Sequence, residues 1–367
     1  MFNGPWLREL SRLPWGIVLV IVALAGFGMA VLYSAAGGAL QPWALKQGIR
    51  FFILAGLMLL VAQVRPATWM KLAWPIYGGV LLALLGVEIL GQVGGGSQRW
   101  LNLGVIQLQP SELMKIAIVL VLARYYHHVP RGYETKLKAL WPPVAIIGAP
   151  MLLVMLQPDL GTALSIGFGG VMVMFLAGVS MRLFMASGVA LAAAMPLAWT
   201  LLHGYQQRRV MIFLDPSIDP RGAGYHITQS KIAIGSGGFS GKGFLKGTQS
   251  HLDYLPELHT DFIFATMAEE WGLIGGLAII IGFGVLLAWG IGVSLRAGTQ
   301  FERLLAMGLT ATLFFFLAVN MMMVMGLAPV VGIPLPLISY GGSAMMTVLI
   351  LLGLIMGITR EANRPKD

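Results

Sequence analysis

The groups in this chain best placed for chemistry are acidic side chains that stand inside or beside long apolar stretches. Six of the 15 Asp and Glu residues do so: Glu88, Glu112, Asp159, Asp261, Glu269 and Glu270. A carboxylate in such a place is costly to bury, so it is either paired to fix helix packing or kept for function. Position alone leaves both interpretations open for each of the six.

Asp261 follows His259 and Thr260 where a polar segment enters an apolar one. A carboxylate there has access to water and to lipid headgroups and could act as a general base. It could equally stabilise the dipole at a helix N-terminus. In a helix, Glu269 would lie about 80° round from Asp261 and two turns deeper, where it could line the same cavity, whereas Glu270 would point to the opposite side.

Basic side chains near these acids could bind phosphate. Lys115 lies three residues after Glu112 on the same helix face, either as an ion pair or to place an ammonium against a lipid phosphate. Asp159 could simply cap the helix that follows it. The guanidinium groups of Arg208 and Arg209 suit the oxygens of a diphosphate, or they extend to lipid headgroups.

A cluster of imidazole and carboxylate groups requires that a metal site be considered. Its members are His251, Asp253, Glu257, His259 and Asp261. Their spacing does not match the helical HExxH pattern, so transient bridging of a carboxylate and a diphosphate by Mg²⁺ or Mn²⁺ is favoured over a dedicated transition-metal site. The glycine-dense segment 235–243 matches neither the dinucleotide nor the P-loop spacing and is interpreted as a loop or re-entrant turn.

The elements that position these groups must be membrane-spanning helices. The 367 residues are 57% hydrophobic and only 11% charged, with a mean hydropathy of +0.81, against about 45–50% and 25% in ordinary globular proteins. This composition excludes a water-soluble enzyme and a disordered chain. Cysteine is absent, so neither disulfides nor thiolate metal sites contribute.

Ten apolar stretches are long enough to cross a bilayer, which predicts an all-α integral membrane protein forming a single polytopic domain over residues 1–367. The predicted spans are 15–33, 47–64, 73–91, 111–128, 140–156, 161–180, 183–202, 261–291, 302–328 and 337–359. Between the seventh and eighth spans lies one large polar loop, residues 203–260, which we expect to be extracytoplasmic and functional.

The basic residues predict the orientation. Fourteen of the 24 Lys and Arg residues fall on segments of one side, and only four fall near the short segments of the other. The positive-inside rule then places both termini in the cytoplasm. The net charge of +9 is therefore interpreted as anchoring beside anionic membrane lipids, and no nucleic-acid partner is expected.

A series of motifs follows in order along the chain: Gln157–Thr162, Arg209–Val210 with Leu214–Pro216, Gly222–His226, Ser230–Gly238, His259–Phe262, Pro334–Pro336 and Ser339–Ser343. Together they resemble the motifs of the SEDS family of peptidoglycan glycosyltransferases. The resemblance covers about residues 15–358. It implies a ten-helix fold and an enzyme that polymerises lipid II on the outer face of the bacterial cytoplasmic membrane. Lys246–Ser250 and the short N-terminal tail resemble the elongation branch rather than the division branch.

The resemblance also implies roles for individual residues. Asp261 matches the family's essential aspartate. Positions lining the outer cavity, and thus implied to bind substrate, are Glu112, Lys115, Asp159 and Arg209. Apart from these matched positions, Glu269, His259, Lys231 and Arg208 are candidates for supporting roles. The implied partners are lipid II, the nascent glycan strand, a class B penicillin-binding protein of the PBP2 type, and elongation-complex components such as MreC and MreD.

Two further functions remain open. A lipid II flippase would also need many spans, a groove and buried charges, but transporters often contain inverted repeats, and none is found here. The matched polar residues gather on the outer side, which favours chemistry there. A non-catalytic cell-wall scaffold is the third interpretation, and it would leave Asp261 replaceable.

Overall fold

The computed structural model describes residues 11–90, 92–94, 97–102, 107–130, 132–201, 204–220, 222–248 and 259–364. Within these ranges the chain forms twelve α-helices and a short 3-10 helix, Pro216–Ile218. The helices are α1 Trp15–Ala35, α2 Ala44–Gln63, α3 Pro66–Leu90, α4 Pro110–His128, α5 Leu137–Leu156, α6 Leu160–Leu176, α7 Met181–Leu201, α8 Gly204–Leu214, α9 Ala223–Gly237, α10 Ile263–Arg296, α11 Gln300–Val324 and α12 Gly342–Ala362.

The predicted all-α membrane fold is confirmed, and each of the ten predicted spans corresponds to a helix. Among the described residues, seven helices are long and apolar enough to cross a membrane: α1, α2, α3, α5, α10, α11 and α12. Helix α6 and the part of α7 up to Leu197 are apolar but shorter. Every residue of α7 from 185 to 197 is exposed, so this helix offers its apolar side chains to lipid.

Helix α4 is the central helix of the bundle. Fourteen of its 19 residues are buried, because α3, α6 and α11 pack around it. A helix surrounded by protein does not need a lipid-compatible surface, so α4 tolerates Glu112 and Lys115 in its first two turns.

Two parts of the architecture were not predicted. A three-stranded antiparallel sheet, in the order β1–β2–β3, precedes α4 and consists of β1 Gln92–Gly94, β2 Ser97–Asn102 and β3 Gln107–Leu108. The predicted loop 203–260 contains α8, the 3-10 helix and α9, and α9 packs along α10. The loop is therefore largely helical where the structure describes it.

The predicted start of the tenth span, at residue 337, was wrong. Helix α12 begins at Gly342, because the backbone of Leu337 has a φ of 63° and lies outside the helical region. The Ser339 hydroxyl and the Tyr340 amide donate to the carbonyls of Thr260 and His259, outside this segment. Residues 325–341, between α11 and α12, are called the 325–341 segment below.

Helix α10 is broken at Gly272, where φ is 60° and ψ is −152°. The amides of Leu273 and Ile274 donate to the carbonyls of Gly238 and Phe239, at 3.0 and 3.2 Å. In return, the carbonyls of Glu269 and Glu270 accept hydrogen bonds from the amides of Lys242 and Gly243, at 2.9 and 3.0 Å. The loop 238–243 thus supplies both partners that two consecutive helical hydrogen bonds would have provided. The glycine-dense segment is a loop, as predicted, and its partner is the helix.

Replacing Gly241 by alanine is expected to destabilise the fold by at least about 2 kcal/mol. Gly241 has a φ of 78°, and an added Cβ would overlap the carbonyl oxygen of Glu270. Gly284→Ala in α10, the helix that the loop contacts, is the control, since nothing lies within 4 Å of its added Cβ. Thermal unfolding in detergent should show a lower midpoint for Gly241→Ala only. Equal midpoints would mean that the loop is not tied to α10 as described.

Candidate active site

The segment that precedes α10 is held through its backbone. Three consecutive carbonyl oxygens accept hydrogen bonds of 2.7–2.9 Å: His259 from the Tyr340 amide, Thr260 from the Ser339 hydroxyl and Asp261 from the Asn320 amide group. Helix α11 and the 325–341 segment supply these donors. Because the hydrogen bonds use main-chain oxygens, they position Asp261 without using its carboxylate.

The 325–341 segment also lies beside the Asp261 carboxylate. Asn320 Nδ2 has two hydrogens, and it donates to Ile333 O at 2.8 Å as well as to Asp261 O. A Cβ added to Gly332, which has a φ of 74°, would lie 3.6 Å from Asp261 Oδ2. A Cβ at position 332 would therefore be in van der Waals contact with the carboxylate. Asp261 is half-buried, so the residue is neither sealed in the core nor fully in solvent.

Asp159 caps α6, which was one of the interpretations of its position in the sequence. Its Oδ1 accepts a hydrogen bond from Thr162 N at 3.1 Å. Its Oδ2 accepts one from Gln109 Nε2 at 3.3 Å and lies 3.5 Å from Arg99 Nη1. The carboxylate is buried, at 7% exposure of the residue. It thus joins the starts of α4 and α6 to strand β2.

The turn that carries Asp159 contacts the same segment as Asp261. A Cβ added to Gly161 would overlap the carbonyl oxygen of Val331, so α6 and the 325–341 segment meet at backbone distance. Val331 is followed directly by Gly332, the neighbour of the Asp261 carboxylate. Asp159 and Asp261, which are 102 positions apart in the chain, therefore flank one short stretch of backbone.

Glu112 and Lys115 form an ion pair, which was one of the two interpretations of their spacing. Lys115 Nζ lies 2.6 Å from Glu112 Oε1, and the residues are 4% and 6% exposed, respectively. The ammonium also lies 4.6 Å from the centre of the Phe316 ring, which adds a cation–π contact. Phe316 and Asn320 are four residues apart on α11 and share a helix face. One face of α11 thus contacts both the ion pair and the Asp261 segment.

The side chains of Glu269 and Glu270 bind neighbouring elements next to the break in α10. Glu269 is fully buried, with its Oε1 2.6 Å from Lys242 Nζ and 2.9 Å from Thr248 N. The expectation that Glu269 could line a cavity with Asp261 is not met, because its side chain is enclosed by the loop 242–248. Glu270 accepts a hydrogen bond from Ser34 of α1, and so turns towards a different helix, as expected.

The acids between α8 and α9 stabilise local structure. Asp215 accepts hydrogen bonds from Ser217 N and Oγ, and these lower the pKa of its carboxyl. Asp219 accepts one from Ala223 N at the start of α9 and lies 3.6 Å from Arg208 Nη2. The Arg208 side chain is 65% exposed, so the ion pair contributes little to stability.

The remaining predicted residues lie around the same end of the bundle. His259 stacks on Trp43, with ring centres 4.4 Å apart. Lys231 of α9 contacts the other end of the 325–341 segment, since a Cβ on Gly326 would lie 2.8 Å from its Nζ. Arg209 is half-buried in α8. The roles of these three residues towards substrate stay predictions.

Two arginines at the site were not singled out from the sequence. Arg99 donates from Nε to Gln157 O at 3.0 Å and also binds Pro158 O, besides pairing with Asp159. Arg50 lies with its guanidinium carbon 4.9 Å from the centre of the Tyr340 ring. Neither arginine stands beside an acid in sequence, so only the folded chain reveals their surroundings.

No group of three or more His, Asp or Glu side chains close enough to hold a metal ion occurs among the described residues. His251, Asp253 and Glu257, three members of the predicted cluster, lie outside those residues. The predicted bridging by Mg²⁺ or Mn²⁺ therefore stays a prediction.

The fold and the site define a polytopic α-helical membrane protein whose polar groups meet where α4, α6, α10 and α12 begin and α11 ends. The chain belongs to the FtsW/RodA/SpoVE family of cell cycle proteins, which matches residues 15–364. This is the SEDS family, so the resemblance found in the sequence motifs is confirmed.

Relatives of both branches cover nearly the whole chain. The peptidoglycan glycosyltransferase MrdB of Escherichia coli K12 is 44% identical over 345 residues, 93% of this chain and 92% of that protein. A probable peptidoglycan glycosyltransferase FtsW of Geobacter sulfurreducens (strain DL-1 / KN400) is 35% identical over 364 residues, 96% of each chain. The higher identity to MrdB agrees with the predicted elongation branch.

Solved structures share the fold. One is a chain described under "Structural coordination of polymerization and crosslinking by a peptidoglycan synthase complex". It has a TM-score of 0.83 and 32% identity to this chain, and the match covers 96% of this chain and 99% of that one. The rod shape determining protein RodA of Thermus thermophilus has a TM-score of 0.69 and 29% identity, with 96% and 98% covered.

Proposed function

We propose that this chain is a peptidoglycan glycosyltransferase that polymerises lipid II into glycan strands during cell elongation and the maintenance of rod shape. The observation that carries the proposal is the placement of Asp261. Three consecutive backbone carbonyls are held by α11 and the 325–341 segment, and the carboxylate lies next to Gly332. A general base needs a carboxylate whose backbone is held in a fixed position. The relatives named as peptidoglycan glycosyltransferases support the reaction class.

In the proposed reaction, Asp261 accepts the proton of the 4-hydroxyl group of the acceptor GlcNAc. The hydroxyl oxygen forms a bond to the anomeric carbon of the donor MurNAc, and the bond from that carbon to the diphosphate breaks. Undecaprenyl diphosphate leaves with the bonding electrons. An α-linked donor becomes a β-1,4 link by a single inversion, so no covalent glycosyl intermediate is needed.

The leaving diphosphate gains negative charge and needs cations rather than a proton. We assign this role to Arg209 and to Lys115, with Mg²⁺ or Mn²⁺ as the alternative source of positive charge. Lys115 is bound to Glu112 at 2.6 Å, so it would act as one member of a pair and not as an isolated ammonium. Asp159 is proposed to shape the substrate cavity through its contact with Arg99.

The proposed setting is the bacterial cytoplasmic membrane, with both termini in the cytoplasm and the Asp261 end on the outer face. The positive-inside distribution of Lys and Arg supports this orientation. The proposed partners are a class B penicillin-binding protein and elongation components such as MreC and MreD. The similarity to a chain of a peptidoglycan synthase complex supports partnership with a cell-wall enzyme.

The test is polymer formation from purified lipid II by the full chain, alone and with its penicillin-binding partner, in buffer with Mg²⁺ and in buffer with a chelator. We expect glycan strands on a gel. Loss of the strands in the chelator would indicate that a divalent ion, rather than Lys115 and Arg209, stabilises the charge on the leaving diphosphate. The same preparation in vesicles is assayed for movement of lipid II between leaflets. Movement without polymer in every condition would favour the flippase, and partner binding without either activity would favour the scaffold.

A further inference from the structure

A cavity of about 410 Å³ lies at the end of α4 away from the candidate active site. Glu112 is in the first turn of α4, whereas Arg124 and His128, which line the cavity, are in its last two turns. A helix of 19 residues is about 28 Å long, so the cavity and the Asp261 segment are on opposite sides of the membrane region. Its volume is within the range of ligand sites, about 300–1,000 Å³.

The cavity is lined by basic side chains. Arg124, His128 and Lys138 contribute to the lining, and none of the described lining residues is acidic. His128 Nδ1 lies 2.9 Å from the carbonyl oxygen of Arg124, which can only accept, so this nitrogen is the donor. This charge distribution favours an anion.

Arg124 is held rigidly at the cavity wall. Pro75 inside α3 has no N–H, so the carbonyl oxygen of Lys71, four residues earlier, lacks its helical donor. Arg124 Nη1 supplies that donor at 2.8 Å and also donates to Met70 O at 2.9 Å. A guanidinium fixed on one edge needs little further ordering to bind a ligand.

The aromatic lining places the cavity at the depth of the lipid headgroups. Trp74 and Tyr133 line it and are each 43% exposed, and Trp141 nearby in sequence is 67% exposed. Amphipathic rings of this kind concentrate at the membrane–water interface. Lys136 Nζ lies 3.6 Å from the centre of the Tyr133 ring, which adds a cation beside the aromatic wall.

We propose that this cavity binds the phosphate of an anionic glycerophospholipid from the leaflet opposite the candidate active site. The basic lining binds the phosphate oxygens, and the aromatic rings pack beside the glycerol and the first acyl carbons. A membrane lipid is the chosen ligand, in preference to a soluble phosphate, because Trp74 and Tyr133 bring apolar surface to the same cavity.

The test is native mass spectrometry of the full chain in detergent, titrated with phosphatidylglycerol, with phosphatidylcholine of the same acyl chains, or with glycerol phosphate. Lys138→Gln should weaken phosphatidylglycerol binding about fivefold, the contribution of one basic residue near an anionic surface. Arg182→Gln is the matched control, because it removes an exposed positive charge at the start of α7, on the same side of the bundle. It should change the affinity by less than twofold.

Arg124→Gln should weaken binding at least as much as Lys138→Gln. Because Arg124 also donates to the Lys71 carbonyl, the folding of its variant is checked by thermal unfolding. If the Arg124 variant does not fold, the result with Lys138→Gln alone tests the proposed site. Equal weakening by Lys138→Gln and Arg182→Gln, or no weakening by Lys138→Gln, would overturn the site. Displacement of phosphatidylglycerol by glycerol phosphate would overturn the choice of a lipid and indicate a soluble anion.

Discussion

Asp261→Asn is expected to lower the rate of glycan polymerisation by about 10²- to 10⁴-fold, the contribution of a general base. Asparagine keeps the shape of the side chain and cannot accept the proton of a sugar hydroxyl. The hydrogen bonds that hold residues 259–261 use backbone oxygens, so they survive the substitution. The variant should therefore fold like the wild type, and the loss should appear in the chemical step.

The measurement is the initial rate of strand formation from lipid II with the penicillin-binding partner present. Asp215→Asn is the matched control, since it makes the same change at an exposed carboxylate whose hydrogen-bond partner within the described part of the chain is Ser217. It should retain the wild-type rate. An Asp261→Asn protein that unfolds at the wild-type temperature and still polymerises normally would show that the base lies elsewhere and that Asp261 is structural.

Lys115→Met is expected to destabilise the protein by about 3–5 kcal/mol, because it leaves the buried Glu112 carboxylate without its cation. The Glu112 and Lys115 residues are 6% and 4% exposed, so water cannot replace the lost partner. Arg364→Met is the matched control, since Arg364 and Glu361 have the same i,i+3 spacing at 3.5 Å with side chains that are 40% and 31% exposed. Its loss should be under about 1 kcal/mol.

The double variant Glu112→Leu/Lys115→Met, which replaces both charges by apolar side chains, separates structure from substrate binding. Replacing both members of a buried ion pair is often close to neutral for stability, so thermal unfolding in detergent should return most of the way to the wild-type midpoint. Polymerisation should nevertheless stay at least about tenfold below wild type, because the cation for the diphosphate is gone. A double variant that is both stable and fully active would confine the pair to a structural role.

The helices could be predicted from the sequence because a long apolar stretch by itself indicates a helix surrounded by lipid or protein. Even so, α4 lacks the hydropathy of a lipid-exposed span, and its central place follows from the packing of α3, α6 and α11 around it. The last span was started too early because Ser339 and Tyr340 look compatible with a helix. Their tertiary hydrogen bonds to Thr260 and His259 decide otherwise.

The acidic residues of the site could be predicted from the sequence, but the residues that hold them in place could not. Asp159 and Asp261 stand out because a charge beside an apolar stretch is locally visible. Asn320 is an unremarkable polar residue in an apolar helix until its amide is seen to bind two carbonyls, one 59 and one 13 positions away. Arg99 lies on strand β2, which the pattern of apolar and polar residues did not predict. Contacts between segments that are distant in sequence have no local signature. The predicted site therefore contained the acidic side chains but not the residues that position them.

The break in α10 at Gly272 has a mechanical consequence. A helix interrupted by one left-handed residue ordinarily acts as a hinge, because the two halves share few hydrogen bonds. Here, bending would pull four main-chain groups away from the loop 238–243, beside side chains of Glu269 and Glu270 that are 0% and 1% exposed. The joint is therefore stiff, and a force applied to that loop is transmitted along α10 to its N-terminal end, directly after Asp261.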